Sequence, residues 1–360
     1  MTDEAEFLDP ADPRPQVQAA LREWLALQHA LAFLPRDGTA CLRATRDARA
    51  ALAASGRVAP GRAVLDRAVE RLRACGAVAV PQPSAAFPPR LARLDDAPLL
   101  LHVRGDASWL CRPSIAIVGS RAPSAYGRAA AERFAAEIAR AGVVVVSGLA
   151  TGIDGVAHLA ALESGGTTVA VQACGPDLVY PRTHRHLAER IAACGALVSE
   201  LFPATPPRPA NFPFRNRLIS ALAVAVLVVE ARLRSGSLVT ARHAADQGVD
   251  VYALPGPLGA PTSEGTNRLL RDGAHVALEP EDLLRPLGWV PERARRRCSA
   301  GIDPRHRSIV AAIREAPATR DELADRLGTA PERLALDLVE LELAGTIAQD
   351  RDGRLRVVRA

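Results

Sequence analysis

The sequence contains no lysine, so all 45 of its Lys/Arg positions are arginine. That absence excludes Schiff-base chemistry, a lysine general base and the phosphate-binding lysine of a Walker loop. What remains is the guanidinium group, which favours bidentate contacts to phosphate. Long apolar runs are missing too. The longest predominantly apolar stretch, Leu218 to Val229, falls well short of the roughly 20 residues a membrane helix needs. No N-terminal apolar run follows a basic patch. The expectation is a soluble, cytoplasmic protein with no membrane span. The six cysteines, Cys41, Cys75, Cys111, Cys174, Cys194 and Cys298, form no CxxC pair and lack the density of a secreted scaffold. They read as buried free thiols of a cytosolic chain.

At 360 residues and 48% apolar composition, the chain is long enough for two or three domains with substantial cores. Its net charge of +5 is modest, but the charge is concentrated. Between Arg208 and Arg242 there are six arginines (208, 215, 217, 232, 234 and 242) against one acid, Glu230. Such a window points to a polyanionic partner.

Residues 1–110 read as a helical domain and a connector, with "VQAALREWLALQHALAFL" and "GRAVLDRAVERLRACG" repeating apolar residues at helical spacing. A proline-punctuated connector then leads to a boundary near residue 110. From Ser114, short β-branched runs alternate with amphipathic helices: "IAIVGS", "VVVVSG", "TTVAVQACG", "ALVSEL", "AVLVVEA", "VDVYALPG" and "HVAL". This is the pattern of a doubly wound parallel α/β sheet, expected over 111–286, with its ligand crevice at the carboxyl ends of the strands. A basic linker, "PERARRRCSAG", occupies 287–302. Residues 303–360 then read as three helices and a hairpin, the order of a winged helix, with Thr319 or Arg320 at a helix start.

Three helix starts along the sheet edge carry anion-binding chemistry. In "IAIVGSRAPSAYG", a strand runs into Gly119, Ser120 and Arg121, and Ser124 is placed to cap the next helix; backbone N–H groups, helix dipole and guanidinium together suit a phosphate. "SGLATGIDGVAH" repeats the arrangement with Gly148, Gly152 and Gly155, and Asp154 reads equally as a helix cap or a ligand. His158 reads as structural, because no second metal ligand stands at helical spacing from it. In "EARLRSGSLVTARHAA", Ser235, Gly236, Ser237 and Thr240 supply donors beside Arg232, Arg234 and Arg242. Two loops add further candidates. "YPRTHRHL" carries Tyr180, Arg182, His184 and Arg185. "NFPFRNRLIS" sets Asn211, Phe212, Phe214, Arg215, Asn216 and Arg217 ahead of a helix, the mixture with which proteins stack and neutralise a single strand. The phenylalanines also fit a plug for the core beneath the loop.

These motifs, "VGSR", "SGLATGIDGVAH", "YP" with a basic residue, "FPFRNRLIS", "VVEA", "SGSLVTA", "ALPG" and "GTNRLL", resemble in order and spacing those of the DNA processing protein A family, DprA, also called Smf. The resemblance covers about residues 88–278. It implies an extended Rossmann-like domain that binds single-stranded DNA, preceded by a helical SAM-like domain and followed by a winged helix. It implies protection of incoming single-stranded DNA and loading of RecA recombinase in natural transformation. The partners implied are single-stranded DNA, a RecA-type recombinase, single-strand-binding protein and a second copy of the chain. Carried onto this sequence, the family's basic pocket implies phosphate contacts at Gly119, Ser120, Arg121, Gly148 and Arg182. Asn211, Phe214, Arg215, Arg217 and the turn of Ser235, Gly236, Ser237 and Thr240 would complete it. Thr151, His184 and Ala221 depart from the family's usual residues.

A binding protein with no catalytic residue, no metal and no cofactor is therefore expected. The rival is a phosphoribohydrolase-like enzyme, whose PGGxGTxxE motif ends in an acid–base glutamate. In "PGPLGAPTSEGTNRLL" that position is Leu269, and general acid–base catalysis without the carboxylate has no agent. A duplex-binding regulator is the third class. The third helix of the winged unit, within Thr329 to Leu343, carries Glu332, Asp337, Glu340 and Glu342 against one arginine, Arg333. An acidic recognition helix repels a phosphate backbone, so that unit is expected to contact protein or to pack on its own core.

Overall fold

The computed structural model of the chain describes residues 7–289, 306–343, 347–350 and 352–357. The chain divides into two units, 1–291 and 292–360.

The first unit opens with four helices: α1 (Pro15–Ala30), α2 (Pro35–Thr45), α3 (Ala48–Ala54) and α4 (Arg62–Cys75). Pro15 and Pro35 sit at the first helical position, where the fixed φ of proline suits the helix and its missing N–H costs nothing. Asp47 caps α3 by accepting the Ala50 N–H. Leu21, Leu25, Leu65 and Leu72 form one buried cluster with Ala77, Ala79 and Leu100. The last three belong to the strands that follow, so these helices cover a sheet.

Then come β1 (Ala77–Pro81), α5 (Pro89–Ala92), β2 (Leu100–Gly105), β3 (Ser114–Val118), α6 (Ala125–Arg140) and β4 (Val144–Ser147). They are followed by α7 (Ile153–Glu163), β5 (Thr168–Val171), α8 (Arg185–Cys194), β6 (Ala196–Ser199), α9 (Asn211–Leu222) and β7 (Ala225–Val228). The unit ends with α10 (Gly236–Asp246), β8 (Asp250–Ala253), α11 (Glu264–Arg271), β9 (His275–Val276) and α12 (Glu281–Leu284). All nine strands form one sheet in the order β1-β2-β6-β5-β4-β3-β7-β8-β9. From β6 to β9 the pairing is parallel, as expected, and every residue of β3, β4, β5, β6 and β7 is buried. Strand alternation divides that burial between two cores. Ile115, Ile117, Val145 and Leu227 pack with α6 and α7. Ala116, Val118, Val146 and Val228 pack with α9 and α10 on the opposite face. Burying each of the two isoleucines is worth about 1.5–3 kcal/mol.

The expected break near residue 110 is not a break in the sheet. β1 and β2 precede it, pair with each other antiparallel and join β6 through His102↔Ser199 and Val103↔Val198. Leu8 adds an antiparallel bridge to Ala79 on β1. The winding reverses at β3: the chain runs β3, β4, β5, β6 in one direction, then returns to pair β7 with the other side of β3. Ligand crevices of doubly wound sheets open at such a switch, beyond the carboxyl ends of the strands.

The second unit contains α13 (Arg307–Glu315), α14 (Arg320–Leu327), α15 (Pro331–Leu343) and the hairpin β10 (Ile347–Gln349) with β11 (Leu355–Val357). Thr319 and Glu322 form a reciprocal capping box at the start of α14, and Gly328 closes it at φ 59°. Ile309, Ile313, Leu323, Leu338 and Leu355 share one core. The order is that of a winged helix. The basic linker lies, from residue 290 on, outside the described residues. Five described cysteines are free; of these only Cys174 is buried, Cys41 and Cys75 are half-buried, Cys111 and Cys194 are exposed, and Cys298 lies outside the described residues. Among the described residues no helix is long and apolar enough to cross a membrane.

Candidate nucleic-acid interface

The turns after β3 and β4 are locked against each other. A Cβ on Gly119 would lie 2.7 Å from Ile153 Cγ1, and one on Gly152, at φ 80°, would lie 2.3 Å from the Ser120 carbonyl oxygen. Only glycine allows that approach. The Ile153 N–H donates to the Ser120 carbonyl at 3.1 Å, closing the contact. This joint turns Arg121 outward, exposed, with its guanidinium 5.2 Å over the ring of Phe212. Tyr180, itself 47% exposed, meets Phe212 edge-on at 5.7 Å. Arg121, Gly148, Thr151, Tyr180, Pro181 and Phe212 line one open pocket beyond the carboxyl ends of β3, β4 and β5. Arg182 follows Pro181 and is exposed. Neither Arg121 nor Arg182 has a carboxylate partner among the described residues. Free guanidinium groups beside two accessible aromatic rings can neutralise phosphate and stack a base.

The pocket's floor is polar and buried. Arg215 donates to the carbonyls of Gly148, at 2.7 Å, and Val171. Asp154 accepts the Gly148 N–H at 3.1 Å. Burial pushes the Asp154 carboxyl up while Arg215 pulls it down. Burial lowers Arg215 to about 10, with Asp154 opposing, so the guanidinium remains charged at neutral pH. Asp154 is therefore a partner of this loop and of Arg215, not a helix cap; the cap of α7 is Gly152. His184 Nδ1 donates to the Leu149 carbonyl at 3.0 Å, and a Cβ on Gly155 would lie 2.8 Å from its ring. His158 bonds Thr168 Oγ1 at 2.6 Å, and burial lowers it to about 3, the structural role expected of it.

Several sequence-derived contacts are corrected by this geometry. Arg215 and Arg217 are 4% and 3% exposed and do not reach a strand lying on the surface. Arg217 is bound internally, to Glu200 at 2.6 Å and Asp96 at 3.3 Å. Asn211, 1% exposed, donates to the Ala173 and Pro206 carbonyls and so anchors the start of α9. Of the two phenylalanines, Phe212 and not Phe214 lines the Arg121 pocket. The start of α6 is not a vacant anion site. Glu230, the one acid of the arginine-rich window, accepts the Ser124 N–H at 2.9 Å and its hydroxyl at 2.5 Å, while Ser124 caps Gly127. A Cβ on Gly127 would collide with that carboxylate. Ser235 caps α10 through the Ser237 N–H, and Asn216 donates to the Gly236 carbonyl. This turn lines a separate groove between α10 and α11, in which Ser235, Gly236 and Arg242 take part, while Ser237 and Thr240 are buried. The structure thus brings together Gly119, Ser120, Arg121, Gly148 and the loop of Arg182, and sets the Ser235–Thr240 turn apart.

Residues 79–288 match the family model described as DNA recombination-mediator protein A, and residues 290–353 match the DprA winged helix domain. The chain belongs to the DprA family. Protein Smf of Escherichia coli is 42% identical over 293 residues, which is 78% of each chain. The structure of DprA from Streptococcus pneumoniae has a TM-score of 0.60 at 31% identity, covering 74% of this chain and 94% of that one. DprA from Helicobacter pylori, solved for its single-stranded DNA binding mode, has a TM-score of 0.52 at 33% identity, covering 56% of this chain and 92% of that one. The winged unit is thus a DprA winged helix, and the mostly parallel sheet is the DprA sheet.

Proposed function

We propose that this DprA family protein binds single-stranded DNA across the carboxyl ends of β3, β4 and β5, with Arg121 and Arg182 on phosphates and Tyr180 and Phe212 stacking bases. The observation that carries this reading is the Arg121–Phe212–Tyr180 cluster: two exposed arginines with no carboxylate partner among the described residues, next to the exposed ring of Tyr180 and the half-buried ring of Phe212, at the sheet edge where ligands bind. The single-stranded DNA binding mode named for the Helicobacter relative supports it. No bond is made or broken. The pocket lining contains no acid, and Asp154 beneath it is engaged by Arg215 and a backbone amide. Where a phosphoribohydrolase would carry its glutamate stands Leu269, and the neighbouring Asn267 clamps both backbone groups of Gly256. The protein acts in the cytoplasm during natural transformation, as a homodimer that protects incoming strands and loads a RecA-type recombinase.

Titration of labelled single- and double-stranded oligonucleotides at two ionic strengths tests the binding step. Affinity for the single strand falls with salt at a slope of about −0.7 per phosphate contacted; binding indifferent to salt refutes the reading. Loading is tested by RecA filament growth on strands coated with single-strand-binding protein, which this protein accelerates.

A further inference from the structure

The first turn of α9 is a ridge between two aromatic pockets. Phe212 and Phe214 are two residues apart on a helix, so they leave it on nearly opposite sides. Phe212 faces the Arg121 pocket, and Phe214 lines a second groove with Leu31, Phe33, Pro35 and Phe202. The buried Arg217 lies 4.5 Å over the ring of Phe214, and Phe33 packs on Phe214 with centroids 5.5 Å apart. Phe33 sits in the connection between α1 and α2 and is 52% exposed. Its φ is 65°, in the left-handed region that bulky side chains disfavour. Core packing does not account for a ring held in that backbone with half its surface in water. Arg36 and Arg208, next to the groove in sequence, are exposed and have no carboxylate partner among the described residues.

We propose that Phe33 is a second base-stacking platform, taking a nucleobase of the same single strand whose neighbour occupies the Tyr180–Phe212 pocket across the α9 ridge. The proposal rests on the single-strand reading above. Arg217 and Phe214 are the backing of this platform: the guanidinium holds one ring, and that ring holds the next. The helical N-terminal segment thereby extends the footprint of the strand beyond the sheet edge.

The test uses the full chain and oligothymidylates from about 4 to about 16 nucleotides, the span of one compact single-strand site. Phe33→Ala is expected to melt like the wild type, to bind the shortest oligomers unchanged and to lose about 5- to 100-fold on the longer ones, the worth of one stacked base. Wild-type affinity at every length, or the same loss at every length, overturns the proposal. Phe33→Trp keeps a ring in place and is expected to change its emission when the longer oligomers bind. An unchanged emission in a formed complex also overturns it. Arg121→Ala separates the two claims. If it weakens binding at all lengths while Phe33→Ala does nothing, the pocket stands and the platform falls; if the wild type binds no oligomer, both fall.

Discussion

Replacing Arg217 by alanine separates a fold contact from a DNA contact. The arginine side chain is 4% exposed and that of its partner Glu200 is 6% exposed, at 2.6 Å. Removing one member of such a pair strands the other in the interior and costs about 3–5 kcal/mol. With unfolding entropy near 2.1 cal/mol/K per residue, the unit of 291 residues carries about 0.6 kcal/mol/K, so the melting point drops by about 5–8 °C. The pH dependence gives a second signature. Burial lifts Glu200 to about 7, and Arg217 pulls it back down. The folded value lies above the ordinary 4.5 of a glutamate, so its contribution is present below about pH 4.5 and is lost as pH rises through about 7. Without Arg217 the carboxyl rises further, and the deficit of the variant is largest on the alkaline side. Adding Glu200→Gln to Arg217→Ala removes the stranded charge and recovers part of the loss. Differential scanning calorimetry from pH 5 to pH 8 measures all of this. An Arg217→Ala protein that melts within a degree of the wild type yet loses DNA refutes the internal role assigned to this residue.

Arg121→Ala and Arg182→Ala, by contrast, keep the wild-type melting point and each reduce the salt slope of single-strand binding by about 0.7, irrespective of sequence; an unchanged slope refutes the phosphate assignment. His102 and His158 are each lowered by burial to about 3, so both stay neutral in the folded protein, and their contribution is present above the ordinary 6.5 and is lost as pH falls towards 3. Neither ring resonance titrates between pH 8 and pH 5, and a midpoint near 6.5 in NMR refutes their burial. Gly152→Ala sets a methyl against the Ser120 carbonyl and weakens DNA binding together with stability, by about 1–3 kcal/mol for a strained backbone. Chemical denaturation checks it. The winged unit presents Leu336 and Val339 outward on α15, 71% and 45% exposed, among Asp337, Glu340 and Glu342. Tight duplex binding through that helix, seen as loss of duplex affinity on Leu336→Ala, contradicts the expectation that the unit contacts protein or packs on its own core.

The parallel strands β3 to β7 were legible because they are short apolar runs rich in β-branched residues and buried on both faces, a pattern that helices do not share. β1 and β2 were not, since "AVAVP" is brief, ends in proline and follows a helical segment; its pairing partner lies about twenty residues on. The pocket was legible where one stretch holds the chemistry, as in Gly119 to Arg121. It was misread where burial decides. "RNRLISAL" looks like a DNA contact, yet residues 215–222 are all buried. Half of its positions are polar, and they are buried because distant partners satisfy them: Gly148 for Arg215, Gly236 for Asn216, Glu200 for Arg217 and Gln247 for Ser220. Glu230 gave no signal, because the serine it serves stands 106 residues earlier in the chain.

The pairing of β2 with β6 has a practical corollary for anyone dissecting this protein. The leading helices are less a detachable module than a wall built onto the platform. Cutting at residue 110 would strip β6 of its neighbour and bare a row of backbone donors and acceptors, inviting edge-to-edge aggregation in place of a cleaner fragment.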